Sequence, residues 1–138
     1  MQFRGAFALG GVSSHAGLFS SARDLVRLAR MYLEGGVIDG RRFLSAGTIA
    51  QFTSVQDSTL SHRALGWETP NGSNSAGRLM SKKAFGHTGF TGTSIWMDPE
   101  RGVFVLLLTN RVNPTREHRG ITAVRTAVAD AAMGVFLR

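Results

Sequence analysis

Four histidines and a scatter of serines are the groups in this sequence with the chemistry for proton transfer and nucleophilic attack. His87 stands out. It closes an extended run, Ala84 to His87, and is followed by Thr88-Gly89-Phe90-Thr91-Gly92. Glycines at a strand end let a ligand or a second strand come close to the backbone. Imidazole titrates near neutral pH, so His87 is a candidate general base. The same ring can instead hold a tight corner through a hydrogen bond to backbone. Ser94, just past the glycine-rich turn, and Ser14 are the candidate nucleophiles. Ser14 and His15 are neighbours, and neighbouring side chains of an extended chain point opposite ways, so these two do not pair with each other.

Other chemistries are excluded by missing residues. There is no cysteine, which removes disulfides, thiolate catalysis and thiolate-bound zinc. His15, His62, His87 and His118 include no pair at the i, i+4 spacing of a helical metal site, and neither metal nor cofactor is expected. A Ser-x-x-Lys nucleophile needs lysine one helical turn after serine, so that the amine can take the hydroxyl proton. The only lysines are Lys82 and Lys83, and three positions before them stand Leu79 and Met80. Tyr-x-Asn is absent too, because Tyr32 is followed two positions on by Glu34. Gly-x-Ser-x-Gly and phosphate-loop patterns do not occur.

The formal net charge is +7, from 16 Lys and Arg against 9 Asp and Glu. The arginines are dispersed, and the one local stripe, Arg23, Arg27 and Arg30, reads as a solvated helix face; no nucleic-acid partner is expected. Apolar residues at 43% suffice for one core, and residues 1–138 read as one domain. No run approaches the roughly 18 apolar residues of a spanning helix, so no membrane span is expected. No signal-peptide pattern is expected at Met1, and the sequence assigns no compartment.

These residues need elements to position them. Ser21 can cap a helix whose apolar stripe is Leu25, Leu28, Ala29, Tyr32 and Leu33, stopped by Gly35-Gly36. Val37 to Gly40 reads as a short extended piece and a turn, and Ser45 starts a second helix reaching about Phe52. Residues 53–81 are loop-like, with a short strand expected at Ala64–Glu68. Thr93–Met97 and Val103–Leu108 flank the turn Asp98-Pro99-Glu100-Arg101-Gly102 as an antiparallel hairpin, its second strand apolar enough to be covered on both faces. Residues 120–136 form a helix expected to cover the sheet with Ile121, Val124, Val128, Ala131 and Val135. Trp67 and Trp96 are expected in the core.

Two segments carry a family resemblance. Gly10-Gly11-Val12-Ser13-Ser14-His15-Ala16-Gly17-Leu18-Phe19-Ser20-Ser21-Ala22-Arg23-Asp24-Leu25 resembles the stretch that leads into a helix in serine β-lactamase-related hydrolases. These include class C β-lactamases, penicillin-binding proteins, D-aminopeptidases and β-lactamase-like esterases. Gly86-His87-Thr88-Gly89-Phe90-Thr91-Gly92-Thr93-Ser94, continuing through Asp98-Pro99 to Leu108-Thr109-Asn110-Arg111, resembles the third motif of those proteins and the hairpin after it. The resemblance implies an α+β fold, an antiparallel sheet flanked by helices, corresponding to the C-terminal part of the family's α/β domain. His87-Thr88-Gly89 then takes the third-motif position on a strand lining the substrate cleft, and the N–H of Phe90 matches one oxyanion-hole donor. The other donor in the family is the nucleophile's own N–H. His15 matches a histidine near the cleft of the esterase-like members, which places His15, Thr88, Gly89 and Phe90 at the substrate.

In the family, the Ser-x-x-Lys and Tyr-x-Asn motifs precede everything seen here. The functional expectation is therefore a small serine-type hydrolase acting on carboxylic esters, with His87 as base and Ser94 or Ser14 as nucleophile. The alternatives are a catalytically inactive remnant, or one piece of a split enzyme that binds a complementary N-terminal part. Apolar faces left open by the missing part make a homo-oligomer the expected assembly. Without Ser-x-x-Lys the chain alone forms no covalent penicillin adduct. Intact-protein mass spectrometry after incubation with penicillin checks this, and a stoichiometric mass gain on a serine would contradict it.

Overall fold

The computed structural model describes residues 6–11, 13 and 16–138. Helix α1 spans Ala22–Leu33. Ser21 caps it with extended backbone, its Oγ accepting from the Asp24 N–H, and Asp24 sets a negative charge against the first turn. The exposed stripe Arg23, Arg27 and Arg30 faces solvent, with Arg27 paired to Asp39 and Arg30 to Glu34. Gly35 and Gly36 end the helix at φ 64° and 92°. Strands β1 (Val37–Ile38) and β2 (Arg41–Arg42) form a two-residue hairpin turned by Asp39-Gly40, both at positive φ. Helix α2 spans Ala46–Thr53 and is capped by Ser45, whose Oγ accepts from the Thr48 N–H.

The main sheet has three antiparallel strands in sequence order, β3 (Phe85–Thr88), β4 (Ser94–Asp98) and β5 (Val103–Leu107), followed by helix α3 (Ile121–Phe136). This is an α+β architecture. No helix among the described residues is long and apolar enough to cross a membrane. The strand expected at Ala64–Glu68 is reduced to isolated bridges, Val55 with Ala64, Arg63 with Glu68 and Glu68 with Gly86. Gly66, at φ 83°, turns the chain in the middle of that run.

Register divides the core into two faces. Phe85, Met97 and Phe104 stand opposite one another across the three strands. They pack with Ala29, Tyr32 and Leu33 of α1 and with Trp67. Tyr32, Trp67 and Phe85 form an aromatic triad with centroids 5.3–5.8 Å apart. On the other face Gly86, Trp96 and Val105 are in register. Trp96 is packed by Ala76, Met80, Ala84, Ala129 and Met133. A side chain at Gly86 would collide with the Trp96 indole, so the bare strand position makes room for the ring.

Helix α3 does not use the expected face. Its buried residues are Arg125, Ala129 and Met133, one turn apart, whereas Val124 and Val135 are 48% and 74% exposed. The large indole needs a small residue above it, which Ala129 supplies and a valine row would not. β5 is covered on both faces as expected, Val103 and Val105 packing with the Trp96 cluster beneath α3 and Phe104 with the cluster beneath α1, although the cover is thin. All five of its residues are only half-buried, and no strand pairs with its outer edge among the described residues.

Asp98 ties the hairpin to the preceding loop. It is fully buried, and its carboxylate accepts from the Ser81 N–H and Oγ at 2.7 Å each and from Arg101 at 2.8 Å. Burial pushes its pKa up, but the Ser81 and Arg101 hydrogen bonds more than offset this and hold it below the usual value of 3.8. A depressed carboxyl contributes stability that is complete above its ordinary pKa and is lost as pH falls through the folded value. Asp98→Asn should therefore cost about 3 kcal/mol at pH 7. In urea titrations the gap to the parent chain should narrow below about pH 4. An equal gap at pH 7 and pH 3 would show that the charge is not what stabilises this corner.

Candidate active site

His87, Ile95 and Leu106 are in register across β3, β4 and β5, so they share the sheet face that carries α1. Past the N-terminal end of α1 this row floors an open cleft of about 530 Å³. Leu18, Phe19, Ser20 and Leu25 wall one side, and Thr88, Gly89, Phe90 and Leu108 the other. His87 is exposed, and its Nδ1 lies 3.0 Å from the Thr88 carbonyl oxygen. A carbonyl only accepts, so this bond requires the proton on Nδ1 and leaves Nε2 with its lone pair. The corner-holding and base readings of His87 are thus compatible in one tautomer.

The expected partners of His87 are distributed differently. Ser94 is opposite Thr88 in register and one residue from Ile95, so its side chain belongs to the α3 face, and it is buried. Ser94 nevertheless lines the same cleft as His87, the two side chains starting from opposite faces of the sheet with no hydrogen bond between them. Ser14 and His15 lie outside the described residues. Among the described residues no hydrogen bond joins His87 to a serine. Ser20, which the sequence did not single out, is an exposed serine on the cleft wall. No group of three metal-ligating side chains occurs among the described residues.

The turn after the motif is held by groups that sequence reasoning missed. Behind β3, Glu68 accepts from the Thr88 Oγ1 at 3.3 Å and lies 3.5 Å from Arg63. Arg111 donates through Nε to the Phe90 carbonyl at 2.6 Å, and its guanidinium stacks 4.4 Å from the centre of the Phe90 ring. Arg125, buried beneath the turn, donates to the carbonyls of Gly89, Gly92 and Thr93. Burial, then the nearby Arg111, lowers its pKa, while Glu68 acts in the opposite sense. The signal available beforehand was the position of Arg125 on the helix, one turn before Ala129 and two before Met133.

With this geometry in place, the comparisons identify the class. Residues 2–130 match the β-lactamase family, and the chain belongs to that family. A β-lactamase from Mycobacterium bovis has the same fold, with a TM-score of 0.67 and 24% identity over 95% of this chain and 53% of that one. Proteins of Salmonella gallinarum and Salmonella enteritidis, provisionally named D-alanyl-D-alanine carboxypeptidases, are 40% identical over 111 residues. That match covers 76% of this chain and 25% of theirs, so the chain spans about a quarter of the length of these relatives.

The His87 geometry has a spectroscopic consequence. Long-range proton–nitrogen NMR above the titration of the ring should find Nδ1 protonated and Nε2 bare. A dominant Nε2–H tautomer, the ordinary preference of free imidazole, would break the proposed hydrogen bond and with it the orientation of the ring.

Proposed function

We propose that this chain forms one wall of a serine-type hydrolase cleft that takes carboxylic esters, and that a Ser-x-x-Lys-bearing segment outside these 138 residues delivers the nucleophile. The observation that supports this reading is a formed cleft bordered by His87 and Phe90 in a sequence that holds no Ser-x-x-Lys. His87, Thr88, Gly89 and Phe90 border the cavity, yet no serine among the described residues is hydrogen-bonded to His87. In acyl transfer the substrate carbonyl oxygen becomes an oxyanion, which the Phe90 N–H and the N–H of the incoming serine would receive. The lysine of that segment would take the proton of the attacking serine, and Nε2 of His87 would take one from the water that cleaves the acyl-enzyme and return it to the departing serine oxygen. The outer edge of β5, unpaired among the described residues, offers the same complementary segment, or a second copy of this chain, a place to add a strand.

The lining favours a neutral ester over a peptide with a free C-terminal carboxylate, the substrate suggested by the names of the Salmonella relatives. Leu18, Phe19, Ile95, Leu106 and Leu108 give an apolar wall, and the described lining contains no Lys or Arg. A bound carboxylate calls for a charge-assisted donor, most often arginine.

The test compares the chain alone with the chain mixed with the Ser-x-x-Lys-bearing N-terminal region of a family relative. Alone, it should turn over p-nitrophenyl butyrate at background and leave a fluorophosphonate probe unreacted. The mixture should hydrolyse the ester and label the serine of the added region, and His87→Gln should cut kcat about 10²-fold. A labelled serine in the chain alone would establish a self-sufficient hydrolase instead. Faster turnover of a D-alanyl-D-alanine peptide than of the ester would overturn the substrate class.

A further inference from the structure

The turn Gly89–Thr93 has every carbonyl engaged. The Gly89 oxygen accepts from the Gly92 N–H at 3.1 Å and from Arg125 Nη2 at 2.7 Å. The Phe90 oxygen accepts from Arg111 Nε at 2.6 Å, and the Thr91 oxygen from the Arg111 N–H at 2.7 Å. The Gly92 oxygen accepts from Thr109 Oγ1 at 2.9 Å and from Arg125 Nε at 3.3 Å. The Thr93 oxygen accepts from the Gly89 N–H and from Arg125 Nη2, each at 2.8 Å. The Phe90 N–H, in contrast, has no acceptor among the described residues.

One of these bonds acts directly on that free donor. The Gly89 carbonyl and the Phe90 N–H are the two ends of a single planar peptide unit and point in opposite directions. A guanidinium that holds the carbonyl fixes the N–H as well. Arg125 is 7% exposed, and among the described residues no carboxylate lies within ion-pair distance of it. Burying a cation with only carbonyl partners is costly, and it goes beyond what simple closure of a turn requires. Its three acceptors all belong to this one turn.

We infer that Arg125 is a positioning residue for the oxyanion donor, locking the Gly89–Phe90 peptide so that the Phe90 N–H stays presented to the cleft, with Arg111 securing the next peptide and the Phe90 ring. The inference rests on the reading of Phe90 as an oxyanion donor. It predicts that losing Arg125 frees the peptide to rotate and silences the donor while the sheet stays intact.

Two measurements on Arg125→Lys and Arg125→Met separate this inference from the reading beneath it. The first needs no activity: amide hydrogen exchange and backbone NMR of the chain alone. Resonances of Phe90–Thr93 should shift, and exchange of the hydrogen-bonded Gly89 and Gly92 amides should accelerate about tenfold or more, while amides of β4 and β5 keep their protection. The second uses the complemented hydrolase. Removing an oxyanion donor lowers kcat by about 10²-fold or more, so Arg125→Met should show that loss with KM unchanged, and Arg125→Lys should restore part of it. If Arg125→Met fails to fold, Arg111→Met, which frees the Phe90 carbonyl and ring, should give a smaller shift of the same resonances. Loss of protection spread evenly over the sheet would overturn the inference, because Arg125 would then be general support. Unaltered turn amides, or an undiminished kcat in a folded variant, would do the same. Altered amides with no activity in any complemented sample would leave Arg125 as the lock and defeat only the hydrolase reading.

Discussion

The register between β3 and β4 is the constraint on which the site depends. Gly86 lies against Trp96, and that contact admits no side chain on the glycine. With Gly86 fixed to the α3 face, His87 must face α1 and Thr88 must face α3 again. A slip of one residue would exchange the two faces, sending the imidazole into the core beside Met133 and the hydroxyl of Thr88 to the cleft. The indole, large and fully buried, makes such a slip prohibitive. A packing contact of the core therefore decides which motif side chain shares the α1 face with Ile95 and Leu106.

Much of the framework was legible because it is written locally. Ser21, Ser45 and Gly35-Gly36 bound their helices through bonds within one turn of chain, and Gly102, at φ 67°, closes the hairpin that Asp98-Pro99 opens. What was not legible depends on distant partners. The apolar run of β5 announces cover on both faces but not that its residues stay half-buried. The buried face of α3 is set by the indole it meets and by the turn carbonyls that Arg125 reaches, neither of which appears in the helix's own periodicity. Ser94 looked close to His87 because the turn between them is short, but their relative face depends on pairing parity across that turn. The extended run ending at His87 was legible as a strand, while the parity of its neighbours had to come from the structure.

The same view accounts for part of the arginine content. Arg42 donates to the Gly35 and Leu44 carbonyls, Arg111 to those of Phe90 and His118, and Arg125 to three in one turn. These guanidinium groups replace the hydrogen bonds that regular secondary structure would otherwise supply to irregular backbone. Arginine suits this work because its planar fork reaches two carbonyls at once and stays charged when buried. A basic composition can therefore arise from loop architecture, with no polyanionic partner required.

The peptide between Gly89 and Phe90 separates two properties that evolution or design would want to alter independently. The donor is main chain, so its presence does not depend on which side chain residue 90 carries; only proline, which has no N–H, would abolish it. The Phe90 ring is about half exposed, borders the cleft and is stacked by Arg111, so a change in its size or polarity alters the cleft wall and that contact together. Gly89 has no such latitude, because any side chain there would run into the Thr93 hydroxyl. Adjacent positions thus divide into one that is fixed by its contact with Thr93 and one whose side chain answers to the cleft and to Arg111.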